Sequence, residues 1–294
     1  MSRSLGEIGE DALIERLVSL VPTAVGSEGP GDDCSVVDEG GDFLKLLKTD
    51  ALVEGVHYLK DADPEAVGWK AVARVISDFA AMGGSAERFL ITLALPKSCD
   101  VSWVEGFYRG IGKCLEKYGA TVAGGETCRV PEGSSAVISI AATGRVERGK
   151  EILRSGGNVG DEIWVTGRLG GSLGGKHLSF LPRVKEGAWL AESGVVTAMM
   201  DLSDGLGSDL PRLARASSCG FQVDEDMIPR TDGATVQQAV GDGEDFELLL
   251  TAQAGCGFQQ RWAGAFPDLE LTKIGKLVGK QDGGSLRTGW DHFQ

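Results

Sequence analysis

Basic charge is scarce in this chain of 294 residues: 29 Lys and Arg stand against 43 Asp and Glu, giving a formal net charge of −14 and a sequence pI near 4.7. Such a surface opposes non-specific binding to nucleic acid or to an anionic membrane, so polyanionic partners are not expected. Histidine is scarcer still, with three in all, and the six cysteines (Cys34, Cys99, Cys114, Cys128, Cys219 and Cys256) form no CxxC pair. A zinc site has little to build on, and reduced, mostly buried thiols are expected instead. No apolar run is long enough to span a bilayer, and MSRSLGEIGEDALIERL turns acidic without an uninterrupted apolar segment. Neither a membrane span nor a secretory signal is expected, which points to the cytoplasm.

What remains is an ordinary globular composition, 42% hydrophobic and 24% charged. Single cores stop growing near about 250 to 300 residues, so two lobes are expected. Leu13, Ile14, Leu17, Val18 and Leu20 at helical spacing predict an opening helix over 9–20. Phe43 to Leu47 reads as a strand that delivers Thr49 and Asp50 at its end. Asp63 as N-cap and Pro64 at the first helical position start a helix that runs to Met82 and stops at Gly83-Gly84. A strand over 89–95 follows, then a helix capped by Asp100 or Ser102 that ends at Gly119. Ala120 to Ala123 is a short strand leading into Gly124-Gly125-Glu126, and 136–143 is a longer one. The run RGKEILRSGGNVGD over 148–161 breaks the apolar pattern and suggests a boundary, with domains at 1–150 and 151–294. Beyond it the pattern predicts a strand over 162–166, a glycine-led helix after Gly167, a helix from Ser203 or Asp204 to about Ser217, and strands over 221–223, 246–251 and 271–277. Strands and helices alternate in both halves, so the class is α/β or α+β.

Acidic residues in glycine-rich or helical settings recur along the whole chain: Asp32 and Asp33, Asp50, Asp78, Glu126, Asp201 and Asp204, Glu244 and Asp245. Carboxylates gathered in one cleft repel a phosphate unless hard cations lie between them; at an effective dielectric of about 20, two unit charges about 4 Å apart interact by roughly 4 kcal/mol. Several magnesium ions are the natural mediators, because magnesium prefers oxygen ligands. Taken singly, each motif has a plainer account. Gly31-Asp32-Asp33 suits a simple turn, His57 a hydrogen-bonded core position, and Ser203 or Asp204 a helix cap. Arg74 lies four residues before Asp78 and offers it a surface ion pair worth only about 0.3 to 0.5 kcal/mol. Asp78, however, is flanked by Val75, Ile76, Phe79, Ala80 and Ala81, where a carboxylate needs a cation more than on a charged face. Gly170 to Lys176 spells GxxxxGK, but His177 stands where a phosphate-binding loop needs Ser or Thr, so a plain turn accounts for it better.

In order, GDDCSVV (31–37), KTDALVEGVHYL (48–59), ISDFAAMGG (76–84), GGETCR (124–129), RSGGNVGDEIWVTG (154–167), DLSDGLGSDL (201–210), GEDFELLLT (243–251) and GWDHF (289–293) resemble thiamine-monophosphate kinase over nearly the whole chain. That family is related to aminoimidazole ribonucleotide synthetase and selenophosphate synthetase, which bind ATP without a P-loop. The resemblance implies an N-terminal ATP- and magnesium-binding α/β domain that dimerises through a strand barrel, and a C-terminal α+β domain that completes the site. It places Asp33, Thr49, Asp50, Asp78, Glu126, Asp201 and Asp204 at magnesium positions. Gly125, Glu126, Arg154 and Ser203 fall at ATP-contacting positions, and His57, Glu244 and Trp290 where thiamine phosphate is held. Three residues depart from the family pattern: Glu126 replaces Asp, Lys48 replaces a small hydroxyl residue, and Trp290 replaces Tyr. Trp290 keeps an aromatic face for a cationic thiazolium, an attraction of about 0.5 to 2 kcal/mol.

The implied activity is phosphorylation of thiamine monophosphate by ATP in thiamine diphosphate synthesis, by a homodimer, with magnesium as cofactor. The acceptor phosphate is already largely ionised at neutral pH, with a second pKa near about 6, so no covalent nucleophile or general base is expected. Two other readings stand beside it. One is a related ATP-dependent enzyme acting on a ribonucleotide or on selenide, which the absence of a reactive cysteine in a glycine-rich N-terminal segment disfavours. The other is a metal-dependent nucleotide-binding protein that has lost turnover.

Overall fold

The structure is a computed structural model that describes residues 4–287 and 289–293. Among these the strands are β1 (Ser35–Val37), β2 (Phe43–Val53), β3 (Ser85–Pro96), β4 (Thr121–Val130), β5 (Val137–Glu147), β6 (Glu162–Thr166), β7 (Val196–Asp201), β8 (Gly220–Val223), β9 (Leu248–Ala252) and β10 (Leu271–Val278). The α-helices are α1 (Glu10–Val18), α2 (Pro64–Ala81), α3 (Val101–Tyr118), α4 (Val184–Glu192), α5 (Leu206–Ala216), α6 (Val236–Gly241) and α7 (Phe258–Ala265). The fold is thus a mixed α/β one in two compact units. The first unit comprises Met1–Ser35, Ile152–Gly174 and Ser193–Gln294, the second Val36–Glu151 and Gly175–Glu192. A single cut at 150/151 therefore assigns residues 1–35 and 175–192 differently from the contacts they make.

In the second unit the sheet order is β1-β2-β5-β3-β4, with β5 antiparallel to both β2 and β3, and β3 parallel to β4. Helix α2 starts where Asp63 Oδ1 accepts the Glu65 N–H at 3.2 Å and Pro64 supplies the first turn. Helix α3 starts with Asp100 accepting the Ser102 N–H at 2.8 Å and ends at Gly119 in the left-handed region. The two helices approach backbone to backbone: a Cβ on Gly68 would lie 1.9 Å from the Phe107 carbonyl, and one on Gly110 1.9 Å from that of Glu65. Helix α4 sits equally close to α2, since a Cβ on Gly187 would lie 2.1 Å from the Ala80 carbonyl. This contact ties 175–192 to the second unit.

Along β5, Ile138, Ile140, Ala142 and Val146 are buried in alternation, as a sheet covered on one face requires. Leu47, Leu90 and Val122 remain exposed, and β4 is exposed along nearly its whole length. Leu47, Thr49, Leu90, Ala123, Ala141 and Thr143 contribute to a depression of about 530 Å³.

The first unit holds the sheet β7-β9-β6-β10-β8, antiparallel at each of its strand pairs. Ile163, Val165, Met200, Leu249 and Leu277 form one core with Leu206, Leu210 and Leu213 of α5. Trp164 meets Phe258 of α7 edge-on, with ring centroids 5.9 Å apart.

Several elements differ from the sequence reading. Strand β2 runs on through Asp50 to Val53, and β4 runs through Gly124-Gly125-Glu126 to Val130, because backbone pairing with β5 and β3 continues past the glycines. The glycines directly after Gly167 open no α-helix; Ser172–Gly174 and Lys176–Leu178 form short 3₁₀ turns, and the next α-helix is α4. Helix α5 begins at Leu206 rather than Ser203, capped by Gly205 at φ 93°. Helices α4, α6 and α7 and strands β1 and β7 add to the elements read from the sequence. None of the six cysteines is in a disulfide: Cys34, Cys114 and Cys219 are buried, Cys99 and Cys256 half-buried, and Cys128 exposed. No helix among the described residues is long and apolar enough to cross a membrane.

Candidate active site

In the first unit, β7 ends at Asp201, whose side chain is buried, and the turn after residue 31 buries Asp33; both are 2% exposed. Their carboxylate oxygens come within 4.8 Å of each other. Arg154 fixes Asp33 with Nη2 and Nε donating to Oδ1 at 2.5 and 3.2 Å, while the Arg154 backbone N–H donates to Asp32 Oδ1 at 2.5 Å. Burial opposes the charge on Arg154, but Asp33, Asp209 and Asp201 outweigh it and hold its pKa above the ordinary arginine value. Asp32 shifts upward because burial penalises its charged form more than the Arg154 amide favours it.

The other oxygen of Asp33, Oδ2, is buried with no hydrogen-bond donor. An unsatisfied buried carboxylate oxygen costs about 1 to 3 kcal/mol or more, so this atom calls for a cation. With Asp201 beside it, the donor set is two anionic oxygens, the kind that magnesium takes. The residues present therefore fit the ion.

The turn after Asp201 gathers four more of the expected residues. Asp204 accepts from Arg212 Nη1 through Oδ2, and its N–H donates to Asp209 Oδ2 at 3.0 Å. With Asp204 so engaged, Gly205 is the cap and the helix starts at Leu206. The Ser203 carbonyl accepts the Glu244 N–H at 2.7 Å, and the Asp204 carbonyl accepts the Trp290 N–H at 2.8 Å. Gly289 has no room for a side chain, since a Cβ there would lie 2.3 Å from the Asp204 carbonyl. Ser203, Asp204, Glu244 and Trp290 are thus brought together through backbone bonds, with Trp290 47% exposed.

In the second unit, Thr49 and Asp50 lie inside β2 opposite Ala141 and Ile140, not at its end. Thr49 Oγ1 donates to the Ile140 carbonyl at 3.0 Å. Asp78, near the end of α2, is buried and receives the Lys48 ammonium at 2.6 Å. The surface pair open to Arg74 and Asp78 is not made: Arg74 Nε lies 3.2 Å from Asp50 Oδ2 instead. His57 Nδ1 accepts the Val53 N–H at 2.9 Å, and its carbonyl accepts from the buried Lys70 at 2.5 Å. Glu126 is exposed on β4 opposite Thr92, with Oε1 accepting the Thr127 N–H at 2.8 Å. Gly125 is demanded by the sheet itself, since a Cβ there would lie 2.0 Å from the Ile91 carbonyl.

A pattern runs through these contacts that the motif reading missed. Asp33, Asp50, Asp78 and Asp204 each have a basic partner, respectively Arg154, Arg74, Lys48 and Arg212. Asp209 and Arg212, which engage Asp204, are the neighbours of the candidate site that the sequence reading passed over. Their i,i+3 spacing in α5 was the available signal. Burial, together with Asp204, raises the Asp209 pKa against the opposing pull of Arg212.

Residues 31–146 match the family described as AIR synthase related protein, N-terminal domain, and 175–259 match its C-terminal domain. Thiamine-monophosphate kinase of Synechococcus elongatus is 34% identical, with 99% of this chain and 98% of that protein covered. Thiamine-monophosphate kinase of Aquifex aeolicus is 32% identical, with 98% and 99% covered. A solved structure described as AaThiL complexed with AMPPCP and TMP superposes with a TM-score of 0.86 at 31% identity, covering 99% of both chains. The chain belongs to the thiamine-monophosphate kinase family, within the AIR-synthase-related proteins.

Proposed function

We propose that the protein transfers the γ-phosphoryl group of ATP to the phosphate of thiamine monophosphate, releasing thiamine diphosphate and ADP. The observation that carries this reading is the buried Asp33 carboxylate. It is clamped by Arg154 on one oxygen, has no donor on the other, and faces Asp201 within 4.8 Å. Likeness to relatives of the same name across 98–99% of this chain supports the substrate pair.

Magnesium would be held by carboxylates drawn from Asp33, Asp50, Asp78, Glu126, Asp201 and Asp204, with Thr49 assisting. Held there, it would supply positive charge to offset the negative charge that develops on the phosphates. Arg154 supplies a fixed guanidinium for the nucleotide, and Gly125, Glu126 and Ser203 line its path. His57, Glu244 and Trp290 hold the thiamine phosphate. The acceptor oxygen is already ionised, so the residues position and neutralise rather than move a proton. Transfer is direct and in line, with no phosphoenzyme.

The same reading makes the working unit a cytoplasmic homodimer in which β4 and the open face of the second unit's sheet meet a second copy and close into a barrel. The exposed Leu47, Leu90 and Val122 on that sheet support this. The test is incubation with magnesium, thiamine monophosphate and ATP made chiral at the γ-phosphorus. Thiamine diphosphate with inverted configuration is expected. ATP binding without that product rejects the activity, and net retention rejects in-line transfer.

A further inference from the structure

The glycine run at 170–176 looked like a phosphate loop that lacked its hydroxyl, and the structure shows what it holds instead. The Gly170 N–H donates to both carboxylate oxygens of Asp245, at 3.0 and 2.9 Å. The Gly171 N–H donates to Asp242 Oδ2 at 2.9 Å, and Ser172 Oγ donates to the Gly243 carbonyl at 2.5 Å. Gly170 and Gly171 both have left-handed backbones, φ 82° and 71°. Successive N–H groups in such turns make an anion-binding concavity. Here the anion is the chain's own Asp245, 1% exposed.

The loop that this cradle grips is strained. Gly243 has φ 70°, which glycine accepts freely, but Glu244 at 53° and Phe246 at 51° are non-glycine residues in the left-handed region. Such strain persists only where the surroundings over-determine it, and it gathers at functional sites. The surroundings here are explicit. On one side lie the bonds to Gly170, Gly171 and Ser172. On the other, Glu244 and Phe246 donate their N–H groups to the carbonyls of Ser203 and Leu202 at 2.7 and 2.9 Å. Gly243 is wedged with no room for a Cβ, which would lie 2.9 Å from the Ser203 carbonyl.

We infer that Asp245 is a positioning residue: held by the Gly170–Ser172 cradle, it keeps Glu244 in its left-handed conformation so that the Glu244 carboxylate meets the substrate. By charge, Glu244 suits the cationic heterocyclic end of thiamine monophosphate rather than its phosphate. This inference rests on the activity proposed above.

Two variants test it from opposite sides. Asp245→Asn keeps the shape but removes the anion from the cradle. Gly170→Ala leaves Asp245 and Glu244 unchanged but places a Cβ 2.6 Å from the Ala239 nitrogen on a backbone at φ 82°. Both are expected to raise KM for thiamine monophosphate about tenfold, the size of a strong coupling between neighbouring residues, and to weaken its calorimetric binding by the same factor. KM for ATP rises by a smaller factor than KM for thiamine monophosphate, because this loop meets Ser203 through its backbone carbonyl and leaves the Ser203 side chain in place. Adding Glu244→Gln to Asp245→Asn brings little further loss. If Asp245→Asn does not accumulate as folded protein, Gly170→Ala decides. Lower melting temperatures with unchanged KM and unchanged binding overturn the inference. A wild-type protein that neither binds nor turns over thiamine monophosphate overturns the proposed activity instead.

Discussion

Replacing Lys48 by methionine keeps most of the side chain's volume and removes the ammonium that lies 2.6 Å from Asp78 Oδ1. Breaking a buried ion pair from one side costs about 3 to 5 kcal/mol. The Lys48 side chain is 22% exposed and that of Asp78 9%, so water reaches one partner and the lower figure, about 3 kcal/mol, applies. A divalent cation that binds only the folded protein returns RT ln(1 + [L]/Kd), or about 2.7 kcal/mol at a hundredfold excess over Kd. If Asp78 is a magnesium ligand, the ion and the ammonium compensate the same carboxylate and partly replace each other. Lys48→Met should then unfold in urea with a stability about 3 kcal/mol below wild type in excess chelator. In saturating magnesium the gap should narrow to about 1 kcal/mol or less, because the variant gains more from the ion than wild type does. Unfolding curves at both conditions measure this directly. A gap of the same size with and without magnesium would refute the reasoning, since Asp78 would then be a structural carboxylate indifferent to metal.

Asp209 titrates abnormally high because it is buried beside Asp204. For a carboxyl group, a raised folded-state pKa means that its contribution is fully present below the unfolded value of about 3.9 and is lost as pH rises through the folded value. Asp209→Asn removes that loss, so the variant's stability relative to wild type should improve steadily from pH 4 upward in urea unfolding; a constant or falling difference would contradict this. Burial pushes the Cys114 thiol up to about 12, so it should resist alkylation at pH 8 until the protein unfolds, whereas the exposed Cys128 reacts at once. Because Cys128 lies on β4, its labelling rate should also fall as protein concentration rises, if β4 meets a second copy. A rate independent of concentration through the range where sedimentation reports a dimer would place the interface elsewhere.

Local chemistry made much of the fold readable. Asp63 with Pro64, and Asp100 with Gly119, mark the ends of α2 and α3 because caps act within one turn of their own residue. Strand β6 was read to its exact ends from its apolar run between turn residues, the acidic series supplied the candidate ligands, and the ordered motifs pointed to the family.

Other features depended on partners distant in sequence. The glycines after Gly167 were read as opening a helix, but their N–H groups are taken by Asp245 and Asp242, some seventy residues on. Lys48 reaches Asp78 across 30 positions, and Arg154 reaches Asp33 across 121. No window of sequence contains such a pair. The sequence alone determined which carboxylates are available and what family pattern they follow. Tertiary structure decided which cation each one faces, and that Asp33 keeps one oxygen without a donor, because both depend on which side chains folding carries out of water together.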